Sequence, residues 1–139
     1  MMINFKDNSK KVIRELQDAV YIGVTKASEI VETQAALNAP VDTGKLGQSI
    51  NNMVEGARTN TVTGHIGTNT EYAIFVEKGT GEFSTNGQGR KTAWSYQKPN
   101  GEWVTTTGQK AQPFLEPAFK DNIKNIEKAI MDEVKKVGD

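Results

Sequence analysis

Apolar residues recur at steps of three and four positions over the first third of the chain. They fall at Ile13, Leu16, Val20, Val24, Ala27, Val31 and Ala35. This spacing places them on one face of a long α-helix. Gly23 lowers the helix propensity by about 1 kcal/mol relative to alanine, which the flanking periodicity should override. We predict that the helix ends before Pro40, because the residue that precedes a proline is disfavoured in helical geometry.

The period changes to two after the first helix. Residues 50–56 and 61–68 alternate between apolar and polar positions, which predicts a β-hairpin with one buried face. Residues 69–78 contain apolar side chains at a spacing that favours a short helix. Residues 94–97 and 103–106 predict two further short strands, because an Asn-Gly turn signal lies between them.

A last helix is predicted to start near Pro117, since proline is tolerated in the first turn of a helix. We expect it to bury Phe119, Ile123, Ile126, Ile130, Val134 and Val137. We expect it to expose Lys120, Asp121, Lys124, Glu127, Lys128 and Asp132. Strands grouped between helices, without strand–helix–strand alternation, indicate the α+β class. The predicted architecture is a small antiparallel β-sheet packed by a long N-terminal helix and a C-terminal helix.

The chain has 139 residues, a length that predicts one α+β domain over residues 1–139. Residues 79–93 are rich in glycine, serine, threonine and asparagine and lack apolar periodicity. Such a composition predicts a mobile loop in the middle of the domain.

Charge and composition narrow the function. Seventeen cationic and seventeen anionic residues give zero formal net charge, so bulk charge does not attract the chain to nucleic acid or to an acidic membrane. The chain has no cysteine, which excludes disulfides and thiolate metal sites. No apolar run approaches the roughly 18 residues of a membrane span, and the N-terminal residues do not form a signal peptide. We expect no cofactor and no membrane partner.

Asp42, Thr43 and Gly44 follow an apolar residue and have two incompatible interpretations. Asp-Thr-Gly is the signature of an aspartic protease half-site, which needs a second carboxylate from a second motif or from a homodimer. The sequence contains no second Asp-Thr-Gly or Asp-Ser-Gly. Alternatively, Asp42 or Thr43 caps a short helix that runs through Leu46 to Ser49. We favour the capped helix, with a dimeric aspartic protease using Asp42 as the enzymatic alternative.

His65 is the only histidine, which excludes a multi-histidine metal site and leaves no partner for a serine or cysteine triad. Its place on a predicted strand, in alternation with apolar residues, indicates that it faces solvent or a neighbouring subunit. The carboxylates Glu71, Glu77, Glu82 and Glu102 are scattered and show no metal-ligand spacing.

Aromatic and cationic residues lie close together around the second predicted hairpin. They are Trp94, Tyr96 and Trp103 beside Arg90, Lys91 and Lys98. Such a set can form a stacking platform for single-stranded nucleic acid. Aromatic pairing across the two strands explains the same residues. Zero net charge favours the pairing, and a small single-strand-binding module remains a second alternative function.

Three ordered segments carry a family resemblance. They are Ala39-Pro40-Val41-Asp42-Thr43-Gly44-Lys45-Leu46 with Ser49, then Tyr72-Ala73-Ile74-Phe75-Val76-Glu77-Lys78-Gly79-Thr80, then Gln112-Pro113-Phe114-Leu115-Glu116-Pro117-Ala118-Phe119. In this order, between two long helices, they resemble the gene-product-ten-like family of long-tailed bacteriophages. The proteins of that family are neck proteins, also described as tail-completion or head–tail joining components. The resemblance covers nearly the whole chain except residues 81–93.

The resemblance implies a non-enzymatic structural protein of the virion, encoded by a phage or a prophage. It implies a protein that is monomeric or weakly associated when free and that forms an oligomeric ring at the head–tail junction, after assembly in the cytoplasm of the bacterial host. The implied partners are further copies of the chain and neighbouring neck and tail proteins. DNA would pass through the ring without sequence-specific binding.

We expect the contacts with these partners to come from exposed residues of the 77–91 segment and of the second hairpin. The candidate interaction residues are Glu77, Lys78, Thr80, Glu82, Phe83, Arg90, Lys91, Trp94, Tyr96 and Trp103.

Overall fold

The computed structural model describes residues 2–4, 6–41 and 44–138, and it confirms the α+β class. The helices are α1 (Ser9–Asn38), α2 (Lys45–Ser49), α3 (Ala73–Lys78), α4 (Leu115–Lys120) and α5 (Ile123–Val134), and a 3-10 turn spans Gly81–Phe83. The strands are β1 (Asn51–Glu55), β2 (Thr63–Gly67), β3 (Trp94–Gln97) and β4 (Trp103–Thr106). Within the described residues, the strands form two separate antiparallel hairpins, β1–β2 and β3–β4, where a single small sheet was expected.

The chain divides into two compact units. The first unit comprises Met1–Thr33, Asn51–Gly67 and Phe119–Asp139. The second unit comprises Gln34–Ile50 and Thr68–Ala118. Helix α1 therefore contributes residues to both units. The single domain over residues 1–139 stays a prediction.

The long first helix is confirmed, but small residues occupy most of its buried face. The residues that repeat every four positions on that face are Ala19, Gly23, Ala27, Val31 and Ala35, and all are buried. Two residues predicted to be buried, Ile13 and Leu16, are 52% and 38% exposed. Small side chains allow close approach of neighbouring elements. The buried face of α1 is therefore defined by the small size of its residues as well as by their apolar character.

Gly23 marks the closest of these approaches in the first unit. A Cβ atom added at Gly23 would lie 2.8 Å from the Cα atom of Ile130 in α5. That distance is shorter than a carbon–carbon contact, which is optimal at about 3.5–4.0 Å. The glycine therefore permits close packing of α1 against α5. It also weakens the intrinsic helix propensity of α1, as predicted from the sequence.

We predict that Gly23→Ala lowers the free energy of unfolding by about 1 kcal/mol, because the overpacking cost exceeds the gain of about 1 kcal/mol in helix propensity. Thr33→Ala, at an exposed position of the same helix, is the matched control and should be neutral or slightly stabilising. Urea denaturation followed by circular dichroism measures both changes. A Gly23→Ala protein that is more stable than the unsubstituted chain would contradict the close-packing role.

The first hairpin has the predicted period and one half-buried face. Its register pairs Met53 with His65 and Val54 with Gly64. Val54 and Gly64 are half-buried, whereas Met53 and His65 are exposed. The His65 imidazole Nε2 lies 3.5 Å from the Glu55 carboxylate on the exposed face. The prediction that His65 faces outward is confirmed.

The C-terminal helix differs from its prediction, because it is broken into α4 and α5 at residues 121–122. Asp121 and Asn122 are poor helix formers, and asparagine is favoured at the position that precedes a helix. Asn122 has a φ of −118° and donates its backbone N–H to the Phe119 carbonyl. The predicted burial of Phe119 and Ile123 is wrong, since they are 53% and 40% exposed.

The rest of the predicted helix pattern agrees with the structure. The later apolar residues Ile126, Ile130, Val134 and Val137 are half-buried. The six residues expected at the surface, Lys120, Asp121, Lys124, Glu127, Lys128 and Asp132, are exposed. The break in the helix therefore changes the burial of the residues beside it, while the apolar face of α5 is half-buried.

Glu133 is a buried carboxylate in the first unit. Its Oε1 atom accepts hydrogen bonds from the ammonium groups of Lys26 in α1 and Lys136, the latter at 3.0 Å. These two donors lower the pKa of Glu133 from its ordinary value of 4.5. The ionised form is therefore favoured in the folded chain, and it ties α5 to α1.

We predict that this carboxylate makes the folded state sensitive to acid. Because the folded pKa lies below 4.5, the unfolded chain binds the proton first as the pH falls. Its stabilising contribution is present above pH 4.5 and is lost as the pH drops through the lowered pKa. Urea unfolding at pH 6.5 and at roughly pH 3 measures this loss.

Glu133→Gln should show a smaller fall in stability between these two pH values, because the substituted side chain does not titrate. Glu127→Gln, an exposed position on the same helix, is the control and should keep the full fall. Equal acid sensitivity of Glu133→Gln and the unsubstituted chain would rule out this contribution.

Candidate interaction surface

The segment with the Asp-Thr-Gly sequence joins α1 to α2 in the second unit. Helix α2 buries Leu46, and Gly44 stands at its N-cap position with a left-handed φ of 72°. The predicted cap at Asp42 or Thr43, and the alternative catalytic role of Asp42, fall on residues that lie outside the described ones. The helix stop and restart predicted around this segment are confirmed by the bounds of α1 and α2.

Glu77 is buried, which corrects the expectation that it is an exposed contact residue. Its carboxylate accepts backbone N–H groups from Phe114 at 2.7 Å, Leu115 at 3.0 Å and Glu116 at 3.0 Å. These amides lie at the start of α4, where backbone donors have no partner within the helix. A negative charge is also favoured at the positive end of a helix. Glu77 therefore joins the second and third segments of the family resemblance.

Further backbone hydrogen bonds connect the end of α3 to residues 107–112. The Gln112 N–H donates to the Val76 carbonyl at 2.8 Å, and the Thr80 N–H donates to the Gln109 carbonyl at 2.9 Å. The Glu82 N–H donates to the Thr107 carbonyl at 3.0 Å. We refer to residues 79–83 and 107–109 as the base of the loop.

Gly81 is necessary for this pairing. It has a φ of 60°, and a Cβ atom there would lie 2.0 Å from the Thr107 carbonyl oxygen. The base is thus ordered by hydrogen bonds and by a close backbone approach that only glycine allows. The mobility predicted for residues 79–93 stays a prediction.

We predict that Glu77→Ala lowers the free energy of unfolding by roughly 3 kcal/mol, because it leaves three N–H groups without their carboxylate partner. Glu77→Gln should cost less, since its amide oxygen can still accept some of these hydrogen bonds. Glu71→Ala, an exposed carboxylate in the same unit, is the control and should change stability little. Chemical denaturation measures the three variants, and equal effects of Glu77→Ala and Glu71→Ala would exclude the capping role.

A groove of about 800 Å3 lies between α3, the loop and the start of β3 in the second unit. Its apolar lining residues are Ile74 and Phe75, which are 55% and 57% exposed, and the half-buried Trp94. Two cations line it, Lys78 and Arg90, and the Arg90 guanidinium lies 5.8 Å from the centre of the Trp94 ring. That distance is typical of a cation–π contact. The groove is therefore lined by large apolar side chains and by two cations.

No carboxylate is among the described residues that line the groove. Its other polar lining groups are hydroxyls and amides, contributed by Thr80, Ser84, Thr85, Asn86 and Gln88. Since the groove has cations and no anions, its chemistry suits a partner that combines apolar side chains with carboxylates.

The strands β3 and β4 agree with the prediction, but the predicted pairing of aromatic side chains across them is wrong. Trp94 pairs with Thr106, Tyr96 pairs with Val104, and Trp103 pairs with Gln97. Side chains alternate between the two faces of a strand, so Trp103 lies on the face opposite to Trp94 and Tyr96. Trp103 is 67% exposed. The three aromatic residues therefore do not form one stacking platform.

The structure brings together four of the predicted interaction residues, Lys78, Thr80, Arg90 and Trp94, at the groove. Glu82 and Phe83 lie on the 3-10 turn beside it, and Lys91 is exposed on the loop. Tyr96 and Trp103 are exposed on the second hairpin. The prediction missed Ile74 and Phe75, because an apolar run in a short helix does not indicate which of its residues are left uncovered.

The described part of the chain contains no group of three histidine, cysteine, aspartate or glutamate residues arranged to hold a metal ion. None of its helices combines the length and the apolarity that a membrane crossing requires.

Comparison with known proteins gives one family match. Residues 3–79 match the family described as "Bacteriophage HK97-gp10, putative tail-component". This range includes the first segment of the resemblance and the second segment up to Gly79, and it ends two residues after Glu77. No curated protein and no solved structure matches the chain.

Proposed function

Because the chain belongs to the bacteriophage HK97-gp10 family of tail components, we propose that it completes the tail or joins the tail to the head. In this proposal the protein is non-enzymatic and forms a ring around the channel through which DNA passes. Its role as a structural component of a phage tail follows from the family itself.

The proposal that the chain joins the tail to the head as a ring rests on the groove of the second unit. Large apolar side chains of α3 are left uncovered, and exposed apolar patches of this kind mark protein–protein contacts. The groove also has a fixed base, because Glu77 and the backbone hydrogen bonds hold α3 and the loop. A ring requires one surface of each subunit to contact a different surface of the next.

The proposed partners are further copies of the chain and the neighbouring neck and tail proteins. The proposed location is the head–tail junction of the virion, reached after assembly in the bacterial host cytoplasm. DNA passes through the ring without being read, in keeping with the zero formal net charge of the chain.

Electron microscopy of a lysate from a phage lacking this gene tests the proposal. We expect DNA-filled heads and separate tails that fail to join, or tails that end abnormally, because the joining part is absent. The intact gene supplied in trans should restore joined virions. Normal joined virions in the deletion lysate would show that the protein is not a required neck component.

The same complementation assay separates the structural proposal from the protease alternative. Asp42→Asn removes the carboxylate that a protease requires but keeps a side chain that caps helices nearly as well. We expect this variant to restore joined virions. Failure of Asp42→Asn to complement, with a folded protein present, would favour the enzyme.

A further inference from the structure

The first unit carries a surface that complements the groove. Phe119 and Ile123, at the break between α4 and α5, are 53% and 40% exposed. Glu127 is exposed one turn further along α5, on the same helix face as Ile123. We refer to Phe119, Ile123 and Glu127 as the ridge. Along the chain, the ridge contains two partly exposed apolar residues and then an exposed carboxylate, and Phe119 also lines a cleft of the first unit with Ile126 and Ile130.

The charges of the two surfaces are opposite and available. In the described part of the chain, neither Lys78 nor Arg90 forms an ion pair, although both line the groove. Within the same residues, Glu127 of the ridge also has no ion pair. Its neighbour on α5, Lys128, differs because it is bonded to Asp132 at 2.7 Å. A contact between ridge and groove would pair charges that are otherwise solvated.

We propose that the ridge of one copy of this chain docks in the groove of the next copy. Phe119 and Ile123 would contact the apolar lining residues Ile74, Phe75 and Trp94, and Glu127 would face Arg90 and Lys78. The inference rests on the proposed ring, and it names the two surfaces that build it. Each copy uses both surfaces once, so the contact is head-to-tail, which is the kind of contact that the proposed ring requires.

The size of the two surfaces predicts a weak contact between free copies. Each surface contributes a few apolar side chains, which is less than the roughly 20–30 residues per side of a standard stable interface. We therefore expect the contact to be detected between free copies only by a trapping method, and otherwise only in the assembled ring.

Disulfide trapping between two separately purified variants tests the contact. The chain has no cysteine, so each variant carries a single thiol. Phe75→Cys places it in the groove, and Ile123→Cys places it on the ridge. In an oxidised equimolar mixture we expect the share of mixed disulfide to exceed clearly the share that random pairing of the two thiols gives. Yields near the random ratio, or no mixed disulfide at any protein concentration, would overturn the proposal.

Thr33→Cys supplies the matched control for the ridge, because Thr33 is exposed on α1 and lies outside it. Its mixture with Phe75→Cys should give disulfides in the random ratio. An equal excess of mixed product with this control would show that the trapping is unspecific, and the proposal would fail.

Charge reversal tests the pairing of Glu127 with the groove. Arg90→Glu on the Phe75→Cys protein should reduce the mixed disulfide by about tenfold, and so should Glu127→Arg on the Ile123→Cys protein. Combining the two reversed proteins should restore it. Glu29→Arg on the ridge protein, which reverses an exposed charge of α1, should have no effect. Failure of the combined reversal to restore trapping would overturn the charge pairing.

Complementation distinguishes this inference from the proposed function. One chain carrying both Arg90→Glu and Glu127→Arg should restore joined virions better than either single reversal. If the single reversals join heads to tails normally, whereas the gene deletion does not, the docking contact is wrong and the joining function stands. If the gene deletion itself leaves joined virions, the joining function is wrong whatever the trapping result.

Discussion

Three backbone N–H groups at the start of α4 converge on the carboxylate of Glu77, and the second unit depends on this arrangement. The donors have no partner within their own helix, and the acceptor is buried. Any of these groups without its hydrogen bond would therefore lower the stability of the fold. Meeting at one point, they fix α3 against the chain that enters α4. Phe114, which supplies one of the donors, is fully buried. The position of α3 in turn sets where Ile74 and Phe75 are exposed.

This arrangement separates the residues that stabilise the fold of the segment from the residues that line the groove. Glu77 and Gly81 face inward or approach the backbone closely, while Phe75 and Lys78 point to the groove. Glu77 and Lys78, which are adjacent in α3, therefore have different roles. The second segment of the family resemblance therefore contains residues that hold the fold together beside residues that line the groove.

Strong local patterns predicted much of the fold from the sequence. The periodicity of α1, the alternation of the strands and the Asn-Gly turn are each specified by residues close together in the chain. Interactions between distant residues were not predicted. Glu77 was predicted to be exposed because its partners are backbone amides 37–39 residues away. Nearly every residue has a backbone amide, so the sequence does not show which of them binds a given side chain. Gly23 looked like a defect because its partner, Ile130, is on another helix.

The groove was predicted only in part for the same reason. Its cations and Trp94 were identified from composition, but the exposure of Ile74 and Phe75 depends on what packs around α3. The break at residues 121–122 had a local signal in Asp121 and Asn122, which the apolar periodicity of the predicted helix outweighed. The exposure of Phe119 and Ile123 follows from that break.

The hydrogen bonds of Thr80 to Gln109 and of Glu82 to Thr107 hold together the two ends of the intervening segment. A segment whose ends are already held together can change in length at little cost, since doubling a flexible loop costs only about 0.6 kcal/mol in closure entropy. The chain between the two ends is therefore a natural site for grafting. Exchanging it would change residues that line the groove, among them Arg90 and Trp94, while leaving in place the hydrogen bonds that hold its two ends.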